Sequence, residues 1–278
     1  MQWIRTESHA YWFLTVVFFL AIGTWETFRP NRDLTVAAGR RWRNHGLMLA
    51  IAAVCNTLLL HVSPVALSLI VANSRFGVLN RPGLPMALRW AIAIAFLDLT
   101  HYWIHRSYHL FPWLWRVHQV HHSDPDYDVS TAARFHPVET VITASVILGV
   151  IALLAPPPFA VLTSELMTIA LNLAVHANAS LPAWGENALR LAFFTPDLHR
   201  IHHSEDIRDQ QRNMGVMFPW WDRLFGTYTP AVSSGKAIFK TGLRGMEHRD
   251  GLSLGFMLAE PFLHVQQEGP NMRPDPLS

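Results

Sequence analysis

Long apolar runs decide what this chain can fold into, because about 20 apolar residues in a row are enough to cross a bilayer core as a helix. Residues 10–28 (AYWFLTVVFFLAIGTWETF), 46–72 and 84–104 each have that length and apolarity. Two shorter runs, 141–155 and 159–175, flank Pro156, Pro157 and Pro158 and read as tilted spans or as a hairpin dipping into the membrane. Of 278 residues half are hydrophobic and 15% charged, which argues against an ordinary soluble domain, and a net charge of +2 gives no basis for binding nucleic acid. The expected fold is an all-α integral membrane protein with about four to five membrane helices.

The arginines set an orientation. Arg29, Arg32, Arg40, Arg41 and Arg43 lie between the first two runs, whereas the tail before the first run offers only Arg5, so that loop is expected in the cytoplasm. Tracing the runs onward brings residues 101–122 and 176–278 to the same face. Arg75, Arg81 and Arg89 argue mildly the other way. The polar stretch Met1–Ala10 and the arginines after the first run do not form a secretory cleavage pattern. A single cysteine, Cys55, rules out an intramolecular disulfide and a cysteine-based zinc cluster.

The chain writes one motif twice: HQVHHSDPD at 118–126 and HRIHHSEDI at 199–207. Histidines at i, i+3 and i+4 share one helix face, as do His118, His121, His122 and again His199, His202, His203. His101, His105 and His109 precede the first box at intervals of four, His176 ends the last apolar run, and His136 sits in RFHPVE. Neutral imidazole is a common ligand for zinc and iron, and eight to ten convergent histidines exceed what one ion needs. Two metals are the economical reading. The H-E-x-x-H of zinc proteases and the Glu-x-x-His of soluble di-iron bundles are absent. The expectation is a cytoplasmic, histidine-rich helical cap holding a two-metal site at a membrane surface. His61 reads as a helix–helix hydrogen-bonding residue, His9, His45, His248 and His264 as surface or interface residues, and Trp113, Trp115, Trp220 and Trp221 as interfacial anchors.

With these residues in place, DLTHYWIHRSYH (98–109), LWRVHQVHHS (114–123), RFHPVE (134–139), TPDLHRIHHS (195–204) and WDRLFGTY (221–228) together resemble the fatty acid hydroxylase / sterol desaturase superfamily, over roughly 90–230. The family pattern falls on Asp98, Tyr102, Trp103, His105, Arg106 and His109. The resemblance implies metal ligands at His105, His109, His118, His121, His122, His176, His199, His202 and His203. His101, His136, Asp98, Glu139 and Asn178 remain as possible additional ligands or supports. It also implies a division into N-terminal membrane helices (1–83), a catalytic domain (84–232) and a C-terminal tail (233–278).

Members of that family are membrane di-iron enzymes that use O2 and two electrons to hydroxylate or desaturate a lipid C–H bond. The resemblance thus implies two Fe ions (zinc as a replacement in purified protein), O2 as co-substrate and a sterol-like, fatty acyl or isoprenoid lipid entering from the bilayer. With no fused cytochrome b5 motif, electrons are expected from a separate reductase, ferredoxin or cytochrome. The membrane is the inner membrane of a bacterium or the endoplasmic reticulum of a eukaryote. Where members often read Asn-Tyr-Gly, this chain has Asn213-Met214-Gly215, expected to line the roof of the site. Asp98, Asp124, Glu139, Asp197 and Asp222 are candidates to orient imidazoles, and Arg106 and Arg200 to hold carboxylates or lipid head groups. Rival readings are a metal-dependent lipid hydrolase and a metal-handling membrane protein. Transport would need ionisable residues along the spans, where only His61 and Glu165 lie well inside.

Overall fold

The computed structural model describes residues 2–74, 76–81, 83–235, 240–246 and 252–263; His248, His264 and the side chain of His9 lie outside the described residues. Every regular element among them is helical, and a lone antiparallel bridge pairs Ser204 with Thr241. The long helices are α1 (Gln2–Phe28), α2 (Ala38–Leu60), α4 (Met86–Leu110), α6 (Pro137–Leu154) and α7 (Pro158–Val175). The shorter α3 (Pro64–Ala72) follows α2, and α5 (Pro112–His122) follows α4.

Local chemistry sets these boundaries. Helix α2 ends where His61 adopts a left-handed conformation (φ 57°), and Ser63 then caps α3 by accepting from Ala66 N–H, with Pro64 at the first helical position. His61 is therefore an exposed C-cap at the break between α2 and α3. Ala155, also left-handed, ends α6, and Pro158 opens α7 after Pro156 and Pro157.

Among the described residues, four stretches are long and apolar enough to cross a membrane: Tyr11–Phe28, Ala38–Ala72, Pro137–Leu154 and Pro158–Val175. The 141–175 region is thus two helices of 18 residues, each ~27 Å long and close to the thickness of a bilayer core. The run at 84–104 has the length to cross but falls below that apolarity. Its helix, α4, carries Arg89, Asp98, His101 and His105 and packs against α5, α6 and α7. Burial of its polar face among protein neighbours, rather than apolarity, accommodates α4. Helices α6 and α7 each pack on α3 and α4, and Ser68 Oγ of α3 donates to Pro156 O at their turn.

Beyond the other end of these helices lies the cap: α5, a 3-10 turn at 129–133, α8 (Ala183–Leu189), α9 (Pro196–His202), α10 (Ile207–Gln210), α11 (Trp220–Phe225) and α12 (Leu254–Ala259). A buried ion network binds the arginine-rich loop to it. Arg41 is fully buried, with nitrogens 2.5 Å from Asp124 and 3.0 Å from Asp128, and Arg32 donates to Thr241 Oγ1 at 2.6 Å. The loop between the first two spans and the repeated box therefore share one face.

Candidate metal centre

The nine expected histidines converge in two buried groups. His105, His109, His118, His122 and His202 bring one ring nitrogen each to within 4.8 Å of one another, and His121, His176, His199 and His203 do the same. Helix geometry explains the double box. In each, the i and i+4 members go to one group and the i+3 member to the other. His118 and His122 join the five-membered group while His121 joins the four; His199 and His203 join the four while His202 joins the five. The groups interlock, with the His122 and His203 rings stacked at 4.4 Å between centroids.

Hydrogen bonds at Nδ1 orient the rings. His105 Nδ1 lies 2.8 Å from Met214 O, His176 Nδ1 2.7 Å from Asn172 O, and His202 Nδ1 2.9 Å from Arg212 O. Donation to a carbonyl fixes the proton on Nδ1 and leaves the Nε2 lone pair for the interior of the group. His118 Nδ1 sits 2.6 Å from Glu139 Oε1.

Burial holds the imidazoles neutral, the form that ligates metal. It pushes His118 down to about 3 and His176 to about 4, and lowers His121, His122, His199, His202 and His203 well below their usual value, helped in most cases by neighbouring imidazoles.

The donor set fits metal ions. Both ring nitrogens of His109 and His122, and one each of His118, His121, His199, His202 and His203, are buried without a hydrogen-bond partner. The Nε2 of His176 lies 3.2 Å from that of His121 and 3.1 Å from that of His199. A buried unpaired polar group costs ~1–3 kcal/mol, so this many in one place calls for a cation.

The remaining candidates fall outside the groups. His101 bonds Leu97 O at 3.0 Å and lines the adjoining cavity. His136 caps α6, accepting from Val138 N–H. Asn178 is tied to the backbone of Arg32 through both ends of its amide. Of these candidate carboxylates, Glu139 is the one hydrogen-bonded to a grouped imidazole, that of His118. Asp222 accepts from Met214 and Gly215 N–H and so aims the Met214 carbonyl at His105. Asp98 accepts from Met217 N–H, Phe218 N–H and the Trp221 indole. Asp124 pairs with Arg41, and Asp197 with Arg200. Arg106 donates to Tyr102 Oη.

Three residues depart from expectation. His45 is fully buried, its Nδ1 2.8 Å from Ser130 Oγ and its Nε2 3.2 Å from Arg134. Trp115 is buried against His109 and His122 and packs with Leu243 and Met246, whereas Trp113 is exposed as an anchor should be. Met214 is buried and acts through its backbone, while Gly215 and Val216 line the cavity. Backbone carbonyl partners leave no mark in a sequence, and sequence spacing gave no sign of them.

A cavity of about 340 Å³ adjoins the histidines, reaching His105, His118, His121, His176 and His199 from between α4, α6 and α7.

The profile of the Fatty acid hydroxylase family matches residues 90–227, a stretch that holds all nine histidines. Alkylglycerol monooxygenase of Danio rerio is 34% identical over 158 residues, 56% of this chain and 34% of the relative. Ornithine lipid hydroxylase OlsE of Rhizobium tropici is 28% identical over 273 residues, 93% of this chain and 78% of the relative. A putative methylsterol monooxygenase of Dictyostelium discoideum is 30% identical over 156 residues, 52% of this chain and 53% of the relative. The chain thus spans about a third of the fish enzyme's length and about half of the sterol enzyme's. No solved structure matches.

Proposed function

The chain belongs to the fatty acid hydroxylase family, and from that premise we propose that it is a multi-pass membrane di-iron oxygenase that hydroxylates a C–H bond of a lipid. The observation that carries this reading is the pair of interlocked histidine groups, five and four, at the end of a cavity between the membrane helices. Iron is the metal of the active form, and zinc can occupy the same imidazoles because such sites bind it at least as tightly. Bound there, an iron pair supplies the redox chemistry of O2. In the balanced reaction the lipid C–H becomes C–OH, the other oxygen atom leaves as water, and two electrons and two protons are consumed.

The chain's own residues prepare that reaction. Met214 O, Asn172 O, Arg212 O and Glu139 hold four imidazoles in register. Phe135, stacked on His121 at 4.3 Å, and Trp115, against His109 and His122, help exclude water from the two groups. The electrons come from a separate donor protein at the cap. The arginine-rich loop bound to that cap supports a cytoplasmic active site.

The test is metal analysis joined to turnover. Protein loaded with ferrous iron without air should bind about two irons per chain. Given a reductant and a membrane lipid extract, it should consume O2 and yield a lipid one oxygen atom heavier. One metal or none in folded protein, or a product formed equally without O2, would refute the reading.

A further inference from the structure

One turn of chain serves two of the imidazoles. Arg212 O accepts from His202 Nδ1 at 2.9 Å and Met214 O from His105 Nδ1 at 2.8 Å, and the residue between them is Asn213. His105 comes from α4 and His202 from α9, yet both belong to the five-membered group, with ring centroids 4.6 Å apart. The soft torsions between the two carbonyls are those of Asn213 and Met214, so the turn at Asn213 sets how one carbonyl points relative to the other.

Asn213 is fully buried and left-handed, with a φ of 54°. Asparagine takes that conformation more readily than most residues bearing a side chain, and glycine takes it freely. Here the side chain also anchors it. Its Nδ2 donates to Leu198 O of α9 and to Thr229 O, each at 2.9 Å, and its Oδ1 accepts from Thr229 N–H at 2.9 Å. Its own N–H donates to Thr227 O at 2.8 Å. Both amide hydrogens and the amide oxygen are thus used, and alanine would lose all three bonds.

The chain after the turn is fixed as well. Asp222 accepts from Met214 N–H at 2.6 Å and from Gly215 N–H at 2.8 Å. A Cβ on Gly215 would meet the Phe194 ring and stand 2.7 Å from Asp222 Oδ2, so this peptide sits where no side chain fits. In the four-membered group, His176 takes its carbonyl from Asn172 on α7 instead.

We propose that Asn213 is a positioning residue for the five-membered group. Its left-handed turn aims the Arg212 and Met214 carbonyls at His202 and His105, fixes the proton of both rings on Nδ1, and so sets two ligands of one ion together. This rests on the two-metal reading and adds a residue that reaches the ion only through the ligands it orients.

The experiment separates the two ions. Purified protein in detergent is titrated with cobalt(II), which imidazole sites accept, against a competing chelator. In the otherwise wild-type chain, Asn213→Ala should weaken one of the two binding steps ~10–100-fold and leave the other in place. The His121→Ala background keeps the five-membered group whole and the His202→Ala background the four-membered one, so the loss should appear in the first alone. The visible spectrum of bound cobalt should likewise shift only there. Asn213→Gly, free to adopt the turn, should recover most of the affinity. Asn213→Ser replaces the alanine variant should that not fold, and should still bind more weakly than the glycine variant although it keeps a polar side chain. Equal weakening of both steps, or alanine and glycine variants of equal affinity, would overturn the role of Asn213 and leave the two-metal reading standing. Fewer than two cobalt ions in the wild type would refute that reading, and the positioning role with it.

Discussion

Gly242 donates its backbone N–H to the carbonyl oxygen of His203 at 3.3 Å while resting against the peptide that follows the first histidine box. A Cβ at this position would lie 3.1 Å from Pro125 Cα and 3.2 Å from Asp124 O, and its φ of +100° already disfavours any side chain. Its neighbour Thr241 donates to Pro125 O at 3.0 Å and bridges Ser204, so segment 240–246 straps the two boxes together. Gly242→Ala should cost ~1–3 kcal/mol in strain and loosen the group that holds His203. Its melting temperature should fall and its metal content drop below wild type. Gly255→Ala, where a Cβ meets nothing within 4 Å, serves as control. Full metal content and a wild-type melt for Gly242→Ala would show that the strap holds nothing.

The division of the boxes predicts which metal each histidine releases. His202→Ala removes a member of the five-membered group and His121→Ala one of the four. Each should lose most activity and one metal while keeping the other, because the remaining group is complete. His101→Ala should keep both metals and partial activity, since His101 bonds Leu97 O and only lines the cavity. Elemental analysis of the three variants decides this. Loss of both metals from either single variant would mean that the groups do not bind independently.

Much of this was legible beforehand for a physical reason. Spacings of three and four put imidazoles on one helix face whatever the tertiary fold, so the two boxes and the His101, His105, His109 series stood out, and the family resemblance narrowed these and His176 to the set of nine. Their allotment to two groups did not, because it depends on how α5 and α9 face one another. The apolar runs revealed the membrane helices. Helix α4 falls below the apolarity of the four candidate spans, and its Asp98 is accommodated by bonds to Met217, Phe218 and Trp221, more than 100 residues away. His45 looked like a surface residue because its partners Ser130 and Arg134 arrive from another part of the chain.

Glu139 offers a graded test of how ring orientation supports the site. Its Oε1 lies 2.6 Å from His118 Nδ1, a contact that fixes which nitrogen of His118 faces the group. Removal of such a partner commonly lowers metal affinity ~10–100-fold. Glu139→Ala should show a loss of that size by competition with a chelator, and Glu139→Gln, which keeps an acceptor oxygen, a smaller one. Equal affinity in all three proteins would make Glu139 a bystander.

Acid should weaken the metal-free fold. Burial puts His118 at about 3 and His176 at about 4, with five more imidazoles well below normal, whereas histidine in an unfolded chain titrates near 6.5. Between those values the unfolded chain binds more protons, so stability falls as pH falls. The melting temperature in detergent should be level above pH 7 and drop steadily below pH 6.5. A rise on acidification through that range would contradict neutral buried imidazoles.

Sidedness can be read with single cysteines on a Cys55→Ala background, since Cys55 is the chain's one thiol. Arg116 on α5 and Arg208 on α10 are exposed positions on the cap, each close in sequence to one histidine box. Arg81 is exposed in the loop before α4, near the far ends of α6 and α7. A membrane-impermeant maleimide applied to intact cells should label Arg81→Cys only, and Arg116→Cys and Arg208→Cys only after the membrane is opened. The loop with Arg29, Arg40 and Arg43 carries more positive charge than the one with Arg75 and Arg81, which favours that orientation. Labelling of Arg116→Cys and Arg208→Cys from outside would invert the protein and place its electron donor across the membrane. Labelling of those two from opposite sides would separate the boxes that the fold brings together.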